Sequence, residues 1–215
     1  DVGICLDGDG DRVVLVDEKG NTLTGEEIIY IFAKYYLSEK KIKKGSIIVT
    51  NEIANYGLDI ALKKIGLKLK RVKVGDKNIL KEILDKKYFF GGEPSGHFIF
   101  QNDILIGDGM ATAIRMLTLI LKENKKLSEL KKGIDLLEVI SINQRIDKEK
   151  FYLYQESIYQ KLNKLFKNYD IHYNIRPSGT EPLLRVNLQY HKRNIKVNTL
   201  KQLRIRIIKI ISDAC

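Results

Sequence analysis

Apolar residues recur along the first two thirds of the chain in alternating short runs and longer periodic stretches. Four short runs have the β-branched and aromatic content of buried strands: 46–50, 67–74, 88–90 and 97–100. Four longer stretches have the apolar spacing of helices: 25–38, 55–65, 76–87 and 108–123. Strands that alternate with helices in this way predict an α/β domain with a mixed sheet.

The pattern changes after Gly133, where we predict a domain boundary. Beyond it the order is strand, helix, two strands and helix, at 137–146, 148–167, 171–175, 183–186 and 195–212. This β-α-β-β-α order predicts an α+β domain. At the start of the chain, two apolar runs at 2–6 and 13–16 predict a strand pair that ends a domain begun upstream.

Between these two runs lies the segment Asp-Gly-Asp-Gly-Asp-Arg, residues 7–12. Two unit charges about 4 Å apart repel by about 4 kcal/mol at an effective dielectric near 20, so three such carboxylates require a counter-ion. Alternation directs Asp7, Asp9 and Asp11 to one side of an extended backbone, and the intervening glycines allow that backbone to curl around an ion. Because all the ligands are oxygen, the segment predicts a Mg²⁺ or Ca²⁺ site.

Two other interpretations of this segment are weaker. A solvated acidic turn agrees less well with the apolar, β-branched runs on both sides. An EF-hand loop that starts at Asp7 would have carboxylates at loop positions 1, 3, 5 and, with Glu18, 12. However, its turn position requires glycine and holds Arg12, and the flanking helices are missing. We therefore expect a metal loop between two strands.

Composition restricts the class of protein. With 215 residues, 44% of them hydrophobic, the chain can build one large core or two smaller ones. No run approaches the roughly 18 apolar residues of a membrane span, and the first residues do not form a secretory signal. We therefore expect a cytoplasmic protein with no membrane partner. Its two cysteines, Cys5 and Cys215, do not form a disulfide framework.

The formal net charge of +11 comes mostly from lysines scattered over predicted helices. Solvated helix faces explain most of this excess, although a positive field also attracts phosphorylated substrates or nucleic acid. The lysines and aromatic residues are not spaced regularly enough to indicate nucleic-acid binding. We therefore expect no nucleic-acid partner.

A second loop with polar chemistry is Gly-Gly-Glu-Pro-Ser-Gly-His, residues 91–97, between two apolar runs. The carboxylate of Glu93, the hydroxyl of Ser95 and the imidazole of His97 can exchange hydrogen bonds with sugar hydroxyls. A plain glycine and proline turn with incidental polar residues is the alternative. On this evidence alone, His97 is more typical of a structural histidine than of an acid or base.

A third loop is Arg-Pro-Ser-Gly-Thr-Glu-Pro, residues 176–182, between two predicted strands. Arg176 can hold a phosphate through two parallel hydrogen bonds, while Ser178, Gly179 and Thr180 offer hydroxyl and backbone N–H donors. The loop therefore predicts an anion site, with a polar turn as the alternative.

Residues 75–77, Gly-Asp-Lys, begin a predicted helix and are a further candidate anion site. A helix N-terminus attracts anions, and Lys77 lies in the first turn. A helix cap formed by Asp76 explains the segment equally well.

The loops DGDGDR, GEPSGH and RPSGTEP, in this order and spacing, resemble those of the α-D-phosphohexomutase family over essentially the whole chain. Together with RVKVGDK and IGDG, the sequence RPSGTEPLLRV is most similar to the bacterial phosphoglucosamine mutase branch. The resemblance implies interconversion of glucosamine 6-phosphate and glucosamine 1-phosphate through a 1,6-bisphosphate, with a phosphoserine donor and Mg²⁺ as cofactor. It also implies that residues 1–22 end the family's second domain, 23–133 form its third and 134–215 its fourth.

The resemblance further implies roles for the candidate residues. Asp7, Asp9 and Asp11 would bind the Mg²⁺, and Arg12 and His97 would lie beside the reacting groups as catalytic residues. A phosphorylated hexosamine or hexose would contact these side chains and backbone groups: Lys77, Glu93, Ser95, His97, Arg176, Ser178, Gly179, Thr180 and Arg185.

The sequence departs from the family pattern at two points. The family's catalytic serine lies in a T-A-S-H-N-P-like stretch upstream of the metal loop, and no such stretch occurs here. We therefore expect this chain to be inactive without a missing N-terminal region, supplied in cis or in trans. Ile106 stands where related enzymes often have threonine, which argues against a specific role for residues 107–109. A phosphomannomutase or phosphoglucomutase of the same family, or a non-catalytic phosphosugar-binding module, is the alternative.

Overall fold

The computed structural model describes residues 1–101 and 106–214. The chain divides into two compact units, Asp1–Leu136 and Leu137–Cys215, and each is described by itself. Cys215 itself lies outside the described residues. Within the described ranges, no helix is long and apolar enough to cross a membrane.

The first unit begins with an antiparallel hairpin of strands β1 (Gly3–Leu6) and β2 (Val13–Val16). Leu15 of β2 is fully buried, whereas every residue of β1 is exposed, including the free thiol of Cys5. The hairpin therefore packs onto the unit through β2. It clusters with the rest of the first unit, and the assignment of residues 1–22 to a preceding domain stays a prediction.

A four-stranded sheet lies at the centre of the first unit, in the order β4-β3-β5-β6. Its strands are β3 (Ile47–Asn51), β4 (Lys68–Val72), β5 (Phe90–Gly92) and β6 (Phe98–Phe100). Strands β4 and β5 run parallel to β3, while β6 runs antiparallel to β5. The predicted α/β domain with a mixed sheet is therefore confirmed.

Five helices accompany this sheet: α1 (Gly25–Ser38), α2 (Tyr56–Lys64), α3 (Asp76–Lys86), α4 (Gly109–Glu123) and α5 (Leu127–Leu130). Helix α1 begins with a capping box between Thr24 and Glu27, and the side chains of Asn55 and Asp108 cap α2 and α4. These local signals explain why the first four helices agree with the predicted ones. Helix α5 was not predicted because a single turn shows no periodicity.

The sheet has an apolar core on both faces, because successive residues of a strand point in opposite directions. Ile48 packs in the main core with Phe32 of α1 and Phe90, whereas Val49 packs on the other side with Ile79 of α3. This arrangement leaves the carboxyl ends of the parallel strands open for a binding site.

The prediction of a strand at 88–90 followed by a glycine loop was partly wrong. Strand β5 includes Gly91 and Gly92. A Cβ at Gly91 would lie 2.7 Å from the carbonyl oxygen of Val49, and one at Gly92 would lie 2.4 Å from Cδ1 of Phe98. The two glycines therefore permit close backbone approach inside the sheet rather than a turn.

The second unit contains β7 (Glu138–Arg145), α6 (Lys148–Phe166), β8 (Ile171–Pro177), β9 (Leu183–Tyr190) and α7 (Val197–Ser212). Its antiparallel sheet has the order β7-β9-β8. Ile142 and Val186 of the sheet pack with Ile158 of α6 and Ile207 of α7 in one buried cluster. The predicted β-α-β-β-α domain is confirmed.

One boundary in this unit differs from the prediction in a way that matters for function. The strand predicted at 171–175 continues through Arg176 and Pro177, which pair with Arg185 and Leu184 of β9. Arg176 is therefore a strand residue with a defined neighbour and not part of a loop.

Candidate functional site

The carboxylates of Asp7, Asp9 and Asp11 converge in the connection between β1 and β2. One oxygen from each lies within 4.8 Å of the others. The prediction of an extended backbone is wrong. The segment turns instead, because the N–H of Gly10 donates to the carbonyl of Asp7 at 3.2 Å and Gly10 has a φ of 73°. Glycine adopts this left-handed conformation without the cost that a side chain would add. A bend, rather than alternation along a strand, therefore gathers the three acids.

Arg12 and the loop's own charges set the protonation of these acids. The N–H of Arg12 donates to Oδ1 of Asp7 at 3.1 Å, and its Nε lies 3.7 Å from Oδ2 of Asp7 and 3.8 Å from Oδ1 of Asp11. Desolvation acts to raise the pKa of Asp7, but these bonds from Arg12 and one from Asp11 outweigh it and lower the pKa. Desolvation, followed by the charge of Asp9, raises the pKa of Asp11, although His97 opposes the shift.

These residues fit a hard divalent cation. Oδ1 of Asp11 is buried and has no hydrogen-bond partner among the residues that the structure describes. Such an oxygen is costly unless a ligand satisfies it. All the converging donors are carboxylate oxygens, which Mg²⁺ and Ca²⁺ prefer over softer ligands. A cation here would satisfy this oxygen and offset the repulsion that raises the pKa of Asp11.

His97 joins the second loop to the metal loop. The N–H of Val13 donates to the carbonyl of Gly96 at 3.1 Å, and Arg12 forms an antiparallel bridge with His97. The His97 side chain is only 6% exposed, and its Nδ1 lies 3.6 Å from Oδ2 of Asp11. Its Nε2 is buried without a hydrogen-bond partner in the described part of the chain. The structure therefore places this imidazole directly beside the candidate metal ligands.

Gly107 and Gly109 also pack against this site, although the sequence argued against a role for residues 107–109. The N–H of Gly109 donates to the carbonyl of Gly10 at 2.9 Å, and a Cβ on Gly109 would lie 2.5 Å from the carbonyl oxygen of Arg12. A Cβ on Gly107 would lie 1.6 Å from Nε2 of His97. These two positions act through the absence of a side chain, a packing role that does not depend on which residue stands at position 106.

We expect Gly107→Ala to destabilise the chain by about 1–3 kcal/mol, because the added methyl group collides with the buried imidazole of His97. Gly8→Ala is the matched control, since no described atom lies within 4 Å of a Cβ at that position. Urea unfolding measures both. Equal midpoints for the two variants would contradict the packing of residue 107 on His97.

Glu93 is nearly buried, at 7% exposed, and lies at the carboxyl ends of the parallel strands. Its Oε1 accepts hydrogen bonds from Nδ2 of Asn51 at 2.9 Å and from the N–H of Gly75 at 3.3 Å. The exposed hydroxyl of Ser95 donates to Oε2 at 3.4 Å. Sequence reasoning missed Asn51, and its only signal was a polar side chain at the end of an apolar strand.

Arg71 binds the segment that follows Asn51. Its Nη1 donates to the carbonyl of Ala54 at 2.8 Å, its Nη2 pairs with the carboxylate of Asp59, and its guanidinium lies 4.2 Å from the ring centre of Tyr56. A planar cation that bonds and stacks in this way fixes the loop after β3. These contacts of Arg71 help to position Asn51, whose side chain donates to Glu93.

The segment Gly75 to Lys77 begins α3. Gly75 is the N-cap, with a φ of 121°, and no described side chain caps the helix. The suggestion that Asp76 forms the cap is therefore wrong. Lys77 is exposed in the first turn, and the carboxylate of Glu93 already accepts the Gly75 N–H.

In the second unit, Arg176 and Arg185 lie directly opposite each other on β8 and β9. Like charges in this position destabilise a sheet. The Nε of each is buried and without a hydrogen-bond partner within residues 1–101 and 106–214. Nη2 of Arg185 is partly neutralised by Glu181 at 3.0 Å on an exposed surface, and no ion pair to Arg176 occurs among the described residues. Two like-charged guanidinium groups side by side, each with an unsatisfied Nε, are an arrangement that an anion would stabilise.

The loop after Arg176 contributes further donors. Ser178 is buried, with its N–H donating to Leu183 at 2.7 Å and its hydroxyl accepting from the N–H of Glu181 at 3.3 Å. Gly179 and Thr180 are exposed. Lys148, the first residue of α6, donates from Nζ to the carbonyl of Gly179 at 3.3 Å. Sequence reasoning missed this lysine, which brings a third positive charge to the loop.

Residues 24–135 match the family described as phosphoglucomutase/phosphomannomutase, alpha/beta/alpha domain III. The chain belongs to this family. The phosphoglucosamine mutase of Ruminiclostridium cellulolyticum is 39% identical over 215 residues, covering 97% of this chain and 47% of that protein. The phosphoglucosamine mutase of Caldanaerobacter subterraneus is 40% identical over 193 residues, covering 88% of this chain and 43% of that protein.

Solved structures show the same fold. Aspergillus fumigatus N-acetylphosphoglucosamine mutase, solved in complex with GlcNAc-6P and magnesium, superposes with a TM-score of 0.76 at 17% identity. The match covers 98% of this chain and 52% of that one. The resemblance to α-D-phosphohexomutases is therefore confirmed, and the chain spans about half the length of the curated relatives it matches.

Proposed function

We propose that this chain is the metal- and substrate-binding part of a cytoplasmic phosphohexomutase that interconverts glucosamine 6-phosphate and glucosamine 1-phosphate. The observation that carries the proposal is the convergence of Asp7, Asp9 and Asp11, with an unsatisfied oxygen on Asp11, beside the buried imidazole of His97. The names of the phosphoglucosamine mutase relatives support the choice of substrate.

In this proposal the three aspartates hold Mg²⁺, which when bound supplies positive charge to the phosphoryl group being transferred. The three carboxylates would provide three of the roughly six oxygens that Mg²⁺ requires, which leaves positions for other oxygen ligands. Arg12 keeps Asp7 ionised and presents its exposed guanidinium at the edge of the loop. His97, whose Nδ1 lies 3.6 Å from Oδ2 of Asp11, is proposed to lie beside the reacting end of the sugar as a catalytic residue.

Each unit contains its own group of proposed substrate-binding residues. Glu93, Ser95 and Lys77 are proposed to contact sugar hydroxyls and charged groups, with Asn51 orienting Glu93. In the second unit, these residues are proposed to hold the phosphate that is not transferred: Arg176, Ser178, Gly179, Thr180 and Arg185. Lys148 is a further candidate because it binds the same loop. Such positioning supplies much of the catalysis in phosphoryl transfer.

The nucleophile is proposed to lie in a region of the complete enzyme that is not part of this chain. The resemblance implies a phosphoserine, whereas Ser95 and Ser178 belong to the binding loops, and Ser178 is engaged with Glu181. A serine-bearing N-terminal region, in cis or in trans, is therefore the expected partner. Relatives about twice the length of the matched part are consistent with this partner.

We expect this 215-residue chain to form no glucosamine 1-phosphate from glucosamine 6-phosphate, even with Mg²⁺ and the 1,6-bisphosphate, because the proposed transfer requires a phosphoserine that the resemblance places in the N-terminal region. A coupled assay with the chain alone, and with an N-terminal serine region joined to it, measures this. The joined protein should turn over, and glucose 6-phosphate and mannose 6-phosphate should be poorer substrates. Robust turnover by the chain alone would contradict the proposal that the nucleophile lies in an N-terminal region. A preference for mannose 6-phosphate would show that glucosamine 6-phosphate is not the preferred substrate.

A further inference from the structure

A cavity lies at the amino ends of the parallel strands of the central sheet, at the opposite end of the strands from Glu93. Its volume is about 420 Å³, and we call it the lysine pocket. Its lining includes four lysines and two aromatic residues: Lys40, Lys41, Lys43, Lys87, Tyr88 and Phe89. Cavities of this size commonly hold small molecules.

The charge in the lysine pocket is unbalanced. Its described lining contains no carboxylate, and none of the four lysines forms an ion pair with a described residue. Lys41 instead lies 5.6 Å from the ring centre of Tyr36. Four lysines lining one concavity with no described carboxylate give it a positive potential that attracts anions.

The lysine pocket is separate from the proposed mutase site. Strand β3 begins at the pocket with Ile47 and ends at Asn51, whose side chain binds Glu93. At about 3.3 Å per residue, the two ends are roughly 13 Å apart. No role in the proposed function uses these lysines.

One wall of the pocket is apolar. Tyr88 and Phe89 are half-buried, and Ile42 is buried beneath the lysines. The backbone N–H groups of Gly45 and Ser46 are already bonded to carbonyls of Gly66 and Lys43. Recognition of an anion therefore depends on the lysine ammonium groups, while the wall offers contact area to a ring.

We propose that the lysine pocket binds a multiply phosphorylated small molecule, with its phosphates among the four lysines and a ring on the wall of Tyr88 and Phe89. A nucleoside triphosphate has this chemistry, since it carries several negative charges next to a planar base. Several negative charges on the ligand match the four lysines that line the cavity.

The test is titration calorimetry with ATP at physiological salt and with chelator present, so that no divalent cation reaches the metal loop. Lys40 and Lys87 have φ values of 56° and 54°, a conformation that asparagine tolerates well. The double variant Lys40→Asn with Lys87→Asn should therefore keep its melting temperature and lose ATP affinity by about tenfold for each lysine.

A charge-matched control removes two exposed lysines that do not line the pocket, as Lys19→Gln with Lys73→Gln. Because salt screens distant charges, its ATP affinity should change by no more than about twofold. Arg176→Gln should leave ATP affinity unchanged, and tripolyphosphate should bind more weakly than ATP.

Four outcomes would overturn the proposal. They are no ATP binding by the unaltered chain, equal losses in the pocket and control variants, loss of ATP binding in Arg176→Gln, and tripolyphosphate that binds as tightly as ATP. Tighter binding of a short oligothymidylate, lost in the same lysine variants, would instead assign the pocket to a nucleic-acid surface.

Discussion

Asp11→Asn is expected to stabilise the chain in the absence of metal and to remove most of its response to Mg²⁺. Desolvation and the charges of Asp9 and Asp7 raise the pKa of Asp11, so its ionised form destabilises the folded state. The neutral amide avoids that repulsion but cannot replace a charged ligand. Loss of a direct ligand should weaken Mg²⁺ binding by at least about 100-fold.

The pH dependence separates these two effects. A carboxyl with a raised folded pKa favours the folded state at low pH and loses that contribution as pH rises through the folded pKa. The variant should therefore be more stable than the unaltered chain above the raised pKa. The two should be equally stable well below 3.8, the ordinary pKa, where Asp11 is protonated in both states.

Thermal unfolding with and without Mg²⁺ measures both effects. At a Mg²⁺ concentration 100 times the dissociation constant, the unaltered chain should gain about 2.7 kcal/mol, and Asp11→Asn should gain little. Asp135→Asn removes the same charge from an exposed position of the first unit and should respond to Mg²⁺ like the unaltered chain. Undiminished Mg²⁺ stabilisation of Asp11→Asn would remove the metal site from the proposed function.

Arg176→Ala is expected to weaken binding of glucosamine 6-phosphate by at least roughly 100-fold, because two charge-assisted hydrogen bonds are lost at about 1.5–3 kcal/mol each. Binding of unphosphorylated glucosamine should change little. Without ligand, the variant should be as stable as the unaltered chain or more stable, because Arg185 no longer faces a like charge across the strands.

Calorimetric titration of both sugars, combined with urea unfolding, tests this expectation. Arg206→Ala, on an exposed position of α7, is the control for loss of one positive charge. Arg176→Lys should bind with intermediate affinity, because lysine keeps the charge without the planar fork. If the variant lost equal affinity for both sugars, Arg176 would shape the loop rather than hold phosphate.

Most of the secondary structure was predictable because its signals are local. The helices predicted at 25–38 and 55–65 follow from residues adjacent in sequence, and the structure has them at Gly25–Ser38 and Tyr56–Lys64. The strand containing Gly91 and Gly92 was misplaced because glycine also marks turns. Only the neighbouring strand, with Val49 against Gly91, shows why glycine is required there.

By itself, the sequence determined the order of the strands and longer helices, the three polar loops and the family that these loops resemble. Periodicity and loop chemistry depend only on residues that are neighbours in the chain. Tertiary structure alone decided which of these groups meet. Gly107 packs on His97, Asn51 binds Glu93, and Arg176 faces Arg185. Each contact joins residues far apart in the chain or depends on strand register, which the packing of the whole unit selects.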